Sequence, residues 1–87
     1  MAELSLDDFP SYKEFNGLKQ IVLELHGLKD GQTCAVLTAP APMTLAENEL
    51  DGFRDYIVGL MKEHLANRSG IAIDDFDHLK LRWHYVE

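Results

Sequence analysis

Strict alternation of apolar and polar residues is clearest near the end of the chain. Leu79, Leu81, Trp83 and Tyr85 fall on one face of an extended segment, and His78, Lys80, Arg82 and His84 fall on the other. This predicts a half-buried strand over 78–86. A second extended signal comes earlier, where two β-prone runs flank Lys29-Asp30-Gly31-Gln32. Asp-Gly suits a type I′ turn, which needs positive φ at both central residues, so a hairpin with strands over 19–28 and 32–38 is expected. Centred on that turn, Leu25 opposes Val36 and Gly27 opposes Cys34, which gives Ile21, Leu23, Leu25, Cys34 and Val36 as the core face. A rival pattern overlaps the first strand: Phe15, Leu18, Val22 and Leu25 keep helical spacing behind a Ser11-x-x-Glu14 capping box. The hairpin is the preferred reading, with a turn or short helix over 9–16.

Between these strands the period changes. Leu50, Phe53, Ile57, Leu60, Met61 and Leu65 recur at steps of three and four, the stripe of an amphipathic helix. Thr44-x-x-Glu47 reads as its capping box. Acids at Glu47, Glu49 and Asp51 suit the positive end of the helix dipole, and Lys62, His64 and Arg68 suit the negative end. Asn67 to Gly70 supplies the stop, so the helix is predicted over 45–67. Ala39-Pro40-Ala41-Pro42 is a stiff connector, because each proline removes a ladder donor. A strand reached after a long helix runs parallel to the strand before that helix, and can pair antiparallel with the first hairpin strand. The expected architecture is α+β, ββαβ, with one helix on a three-stranded sheet of order 2-1-3 and residues 1–16 as an N-terminal segment.

Composition narrows what such a fold can be. The chain has 87 residues, room for one small domain, and 46 % of them are apolar, enough to build a core. Eight Lys and Arg against fifteen Asp and Glu give a net charge of −7, which leaves no basic footprint for direct nucleic-acid binding. The acids concentrate early: residues 1–55 carry ten acids and four bases, residues 56–87 five and four. Cys34 is the one cysteine, so an internal disulfide, a Cys-x-x-Cys pair and a thiolate zinc cluster are all excluded, and a reducing, cytoplasmic setting is expected. On the predicted core face its thiol would act as a small apolar group and not as a nucleophile. The opening residues have acid where a secretory leader has base, and no apolar run approaches the roughly 18 residues of a membrane span.

Few residues offer chemistry. The polar face of the last strand gathers His78, Lys80, Arg82 and His84, a local reversal of sign that could dock an acidic partner or an anion, with Arg82 able to pair bidentately with a carboxylate or phosphate. The same charges could instead only solubilise an edge strand. Asp74, Asp75 and Asp77 beside His78 have the donor types of a hard-metal site, yet their spacing matches no calcium loop, and a charged turn accounts for them better. His26 and His64 stand apart from any ligand motif, and Ser5, Ser11 and Ser69 lack a nucleophile elbow. Phosphate-binding glycine loops are absent. Gly52, Gly59 and Ala66, seven apart, draw a line of small residues along the helix that would let a second helix approach.

These observations point to a non-enzymatic protein-interaction module without cofactor or metal, expected to be homodimeric through the last strand or the glycine line. Its acidic balance suggests an inhibitor or neutraliser of a nucleic-acid-binding target, of the antitoxin or phage type. His78, Lys80, Arg82, His84, Asp74, Asp75 and Asp77 are its expected partner-binding residues. The alternative is a small-molecule-binding or enzymatic domain with a pocket at a dimer seam, built from His78, Arg82, His84 and the acidic turn over 74–77.

Overall fold

The structure, a computed structural model, describes residues 9–15, 19–41 and 45–86, and residues 3–5 by their backbone. The elements follow in the order β1 (Glu3–Ser5), α1 (Tyr12–Phe15), β2 (Ile21–Lys29), β3 (Gln32–Pro40), α2 (Leu50–Ser69) and β4 (His78–Tyr85). Single 3₁₀ turns at Glu47–Glu49 and Ile73–Asp75 precede α2 and β4. The hairpin, the long helix and the returning strand are the ββαβ unit the pattern predicts, and β3, β2 and β4 lie side by side in the expected 2-1-3 order.

Both readings of residues 11–28 hold in part. The Glu14 carboxylate accepts a hydrogen bond from the Ser11 N–H at 3.1 Å, which is one half of a capping box, while the Ser11 hydroxyl donates to that same carboxylate at 2.7 Å and the Glu14 N–H goes to the Ser11 carbonyl. That box opens only the single turn of α1, and the chain is extended from Ile21. The Asp-Gly turn forms as expected, with φ of 55° at Asp30 and 77° at Gly31. At the other end of the molecule Gly70 takes φ 73° and its N–H returns to the Ala66 carbonyl at 2.9 Å, closing α2 two residues beyond the predicted end. Thr44 of the predicted capping box and Pro42 of the connector lie outside the described residues.

The hairpin register departs from the expectation. Near the turn, Lys29 faces Gln32 and Leu28 faces Thr33, but Gly27 faces Ala35 and Leu25 faces Leu37. Cys34 therefore has no cross-strand partner. This bulge shifts the remainder of β3 by one residue, which exchanges its faces. Leu37 takes the place expected for Val36 under α2, while Val36 stands 48 % exposed and Cys34 is exposed as well. The bulge adjoins a close approach: a Cβ on Gly27 would lie 2.6 Å from the Phe76 ring, so glycine at this position lets the ring, itself buried, lie on the sheet.

The core gathers on one side of the sheet. Ile21, Leu23 and Leu25 of β2, Leu37 of β3 and Leu79 and Leu81 of β4 gather with Ile57, Val58, Met61 and Leu65 of α2 and with the fully buried rings of Phe15 and Phe76. Phe15 stacks edge-on against Phe53, ring centroids 5.7 Å apart. Trp83 and Tyr85 share the core-side alternation but are half-buried, in a T-shaped pair at 5.1 Å. Gly52 and Gly59 have open space where a side chain would stand, so the small-residue line of α2 faces away from the sheet.

One strand was not anticipated. β1 runs parallel to the start of β4, with Glu3, Leu4 and Ser5 opposite His78, Leu79 and Lys80. The described sheet is four-stranded, β1-β4-β2-β3, and among the described residues β4 has no outer neighbour beyond Lys80. A three-residue strand carries too little periodicity to stand out in a sequence.

Candidate docking face

Among the described residues both helices pack on one face of the sheet, and the other face is left to water. Its central row is Val22, Glu24, His26 and Leu28 of β2, the positions that alternate with the buried Ile21, Leu23 and Leu25. Beside it on β4 stand His84, Arg82, Lys80 and His78, opposite Val22, Glu24, His26 and Leu28 in that order. On the other flank, Pro40, Thr38 and Val36 of β3 oppose Val22, Glu24 and His26. The four basic residues singled out in the sequence thus share one surface with a carboxylate and a further histidine.

Glu24 organises this surface. One carboxylate oxygen takes a hydrogen bond at 2.9 Å from Nε2 of His26, and the other is bonded to Nδ1 of His84. The hydrogen bond from His26 is the main reason the Glu24 carboxyl is held below its usual value, with His84 acting in the same direction and partial burial opposing both. The two imidazoles occupy the Glu24 carboxylate, the one carboxylate of the face among the residues with described side chains. Arg82, directly across from Glu24, and Lys80, across from His26, have no ion-pair partner among the described residues. Lys80 and Arg82 line a shallow depression of about 210 Å³ together with His26, Leu28 and Thr33. This lies below the roughly 300–1,000 Å³ typical of small-molecule pockets, and suits one carboxylate or phosphate group better than a whole metabolite.

The acidic turn behaves differently from the strand. Asp77 accepts a hydrogen bond from the Asp30 N–H at 2.7 Å, and its own N–H donates to the Leu28 carbonyl at 2.9 Å, so it fastens the hairpin turn to the start of β4. Asp74 and Asp75 are exposed in the 3₁₀ turn before it and have no bond to the basic row. Among the described residues no three His, Cys, Asp or Glu converge to hold a metal ion. The structure therefore brings His78, Lys80, Arg82 and His84 together and leaves the three aspartates at the border.

Glu24 and His26 are the members of the face that sequence reasoning missed. Their signal was present: with Ile21, Leu23 and Leu25 assigned to the core, residues 24 and 26 had to face outward, and the 2-1-3 order set them beside the last strand. The exposed acids Glu47, Glu49, Asp51 and Asp55 belong to the helix layer, where Arg54 pairs with Asp51 at 3.4 Å and Asp55 at 3.9 Å. Comparison of the chain with family models, curated proteins and solved structures finds no match. Among the described residues no helix is long and apolar enough to cross a membrane.

Proposed function

We propose that this protein is a non-enzymatic interaction module whose open sheet face docks an acidic segment of a partner protein. One observation carries the reading: Glu24 is engaged by His26 and His84, which leaves Lys80 and Arg82 side by side without an ion-pair partner among the described residues, on a protein of net charge −7. A guanidinium and an ammonium flanking a shallow depression favour a carboxylate or phosphate, while Val22, Leu28 and Val36 around them supply apolar contact. His26 and His84 bond Glu24 and no hydroxyl or thiol, so the face has no activated nucleophile among the described residues. The exposed, unpaired thiol of Cys34 accords with work in a reducing compartment such as the cytoplasm.

A second reading rests on the opposite layer. Glu47, Glu49, Asp51 and Asp55 are all exposed along the first turns of the helix layer and could imitate a phosphate backbone before the basic groove of a nucleic-acid-binding target. Titration of the labelled protein with a polyglutamate peptide separates the two in solution. The docking reading expects amide shifts at Glu24, His26, Lys80 and Arg82 that fade with salt and vanish in a Lys80→Ala/Arg82→Ala variant. No response at those amides, or the same response in the variant, contradicts it.

A further inference from the structure

We infer that β3 is a dimerisation edge, where a second copy of the chain adds its own β3 antiparallel about a two-fold axis at Leu37. The inference is independent of the docking face. β3 pairs with β2 on one side and with no described residue on the other. The Ala41 N–H donates to the Ile21 carbonyl at 2.9 Å, in the same register that sets Leu23 against Ala39 and Leu25 against Leu37. Hydrogen-bonded pairs alternate in an antiparallel ladder, so residues 37 and 39 turn their backbone groups to β2, while Val36 and Thr38 turn theirs outward.

The occupant follows from what this edge lacks and how it reads. From Gln32 to Pro40 it carries no charged residue, on a chain of net −7, whereas protected edges usually carry charge. The part of β4 that pairs with no described residue on its outer side carries such charge at Arg82, with His84 beyond it. The regular stretch of β3 is bounded by the Cys34 bulge and by Pro40, which has no N–H to donate. Between them the residues are Ala35-Val36-Leu37-Thr38-Ala39, a palindrome in shape, since valine and threonine have nearly the same outline. A two-fold axis at Leu37 sets Val36 against Thr38 of the second copy on the open face and Ala35 against its Ala39 on the helix face, with outward N–H and C=O groups of 36 and 38 paired in both directions. Such an isologous pairing closes on itself, which an arbitrary added peptide would not require. It also lies beside a groove of about 300 Å³ lined by Ala35, Leu37, Leu65, Arg68, Ser69 and Ile71.

Sedimentation across a wide concentration range tests the proposal on three forms of the full chain. Wild type is expected at twice the 9.9 kDa chain mass. Val36→Glu/Thr38→Glu, which sets like charges opposite each other, is expected at the single-chain mass with an unchanged circular dichroism spectrum. Val36→Lys/Thr38→Glu sets opposite charges across the axis and is expected to stay dimeric; a wild-type dimer from which this variant falls to the monomer overturns the Leu37 axis. A wild type that stays monomeric throughout, or a dimer that the double glutamate leaves intact, overturns the pairing. Amide exchange of the wild type decides the matter where a variant fails to fold. The N–H groups of Val36 and Thr38 should gain protection as concentration rises, and fast exchange at concentrations where the dimer is present contradicts the proposed edge.

Discussion

Glu24 on β2 bonds the imidazole of His84 on β4 in place of Arg82, its direct cross-strand neighbour. The choice fixes the charge pattern of the open face. It also links stability to acid, because the Glu24 carboxyl sits below its ordinary value in the folded chain. A depressed carboxyl contributes stability that is fully present above the unfolded value, about 4.3 for glutamate, and is lost as pH falls through the folded value. Glu24→Gln should therefore be less stable than wild type at neutral pH, with the gap closing in acid below that range. Denaturant melts from neutral to acid pH check this; a gap that widens in acid contradicts it.

Gly27→Ala should destabilise the fold by about 1–3 kcal/mol, because the added methyl meets the buried Phe76 ring and neither has room to move freely. In a Phe76→Leu background the cost of the same substitution should shrink, since the obstructing ring is gone. Equilibrium unfolding of the two single variants and the double variant measures the coupling; strict additivity would contradict the contact.

Leu81 and Arg82 are adjacent on β4 and face opposite sides of the sheet. Leu81→Ala removes a fully buried side chain and should cost about 2–5 kcal/mol, whereas Arg82→Ala, on the exposed face, should stay within about 0.5 kcal/mol. Trp83→Ala should fall between the two, as its ring is only half-buried. Thermal or chemical melts rank the three, and a destabilised Arg82→Ala beside an unaffected Leu81→Ala would reverse the strand assignment.

Much of this arrangement was legible in the chain. The alternation of residues 78–85, the Asp-Gly turn and the stripe of α2 are strong periodic signals, and they are enough to place three strands, a helix and the basic row. Cys34 and Val36 were misplaced because a bulge is a one-residue event decided by packing, here beside the contact of Gly27 with Phe76, which lies 49 residues along the chain. Within the basic row, alternation grouped His78, Lys80, Arg82 and His84, but the engagement of Glu24 by His26 and His84 in place of Arg82 depends on a rotamer choice across strands. The sequence marks Asp77 as a turn residue, but not that its side chain bonds the Asp30 N–H of the hairpin turn.

The central claim is that the open sheet face, and not the acidic helix layer, holds the partner. Comparative capture from the source cells measures this most directly, using wild type, Lys80→Ala/Arg82→Ala and Glu47→Gln/Glu49→Gln/Asp51→Asn as baits, each first shown to be folded. The account predicts that a partner retained by wild type and by the helix-layer variant is lost by Lys80→Ala/Arg82→Ala, and that its retention weakens as salt is raised. A partner kept by Lys80→Ala/Arg82→Ala and lost by the helix-layer variant would contradict the claim and assign recognition to the acids of the opposite layer.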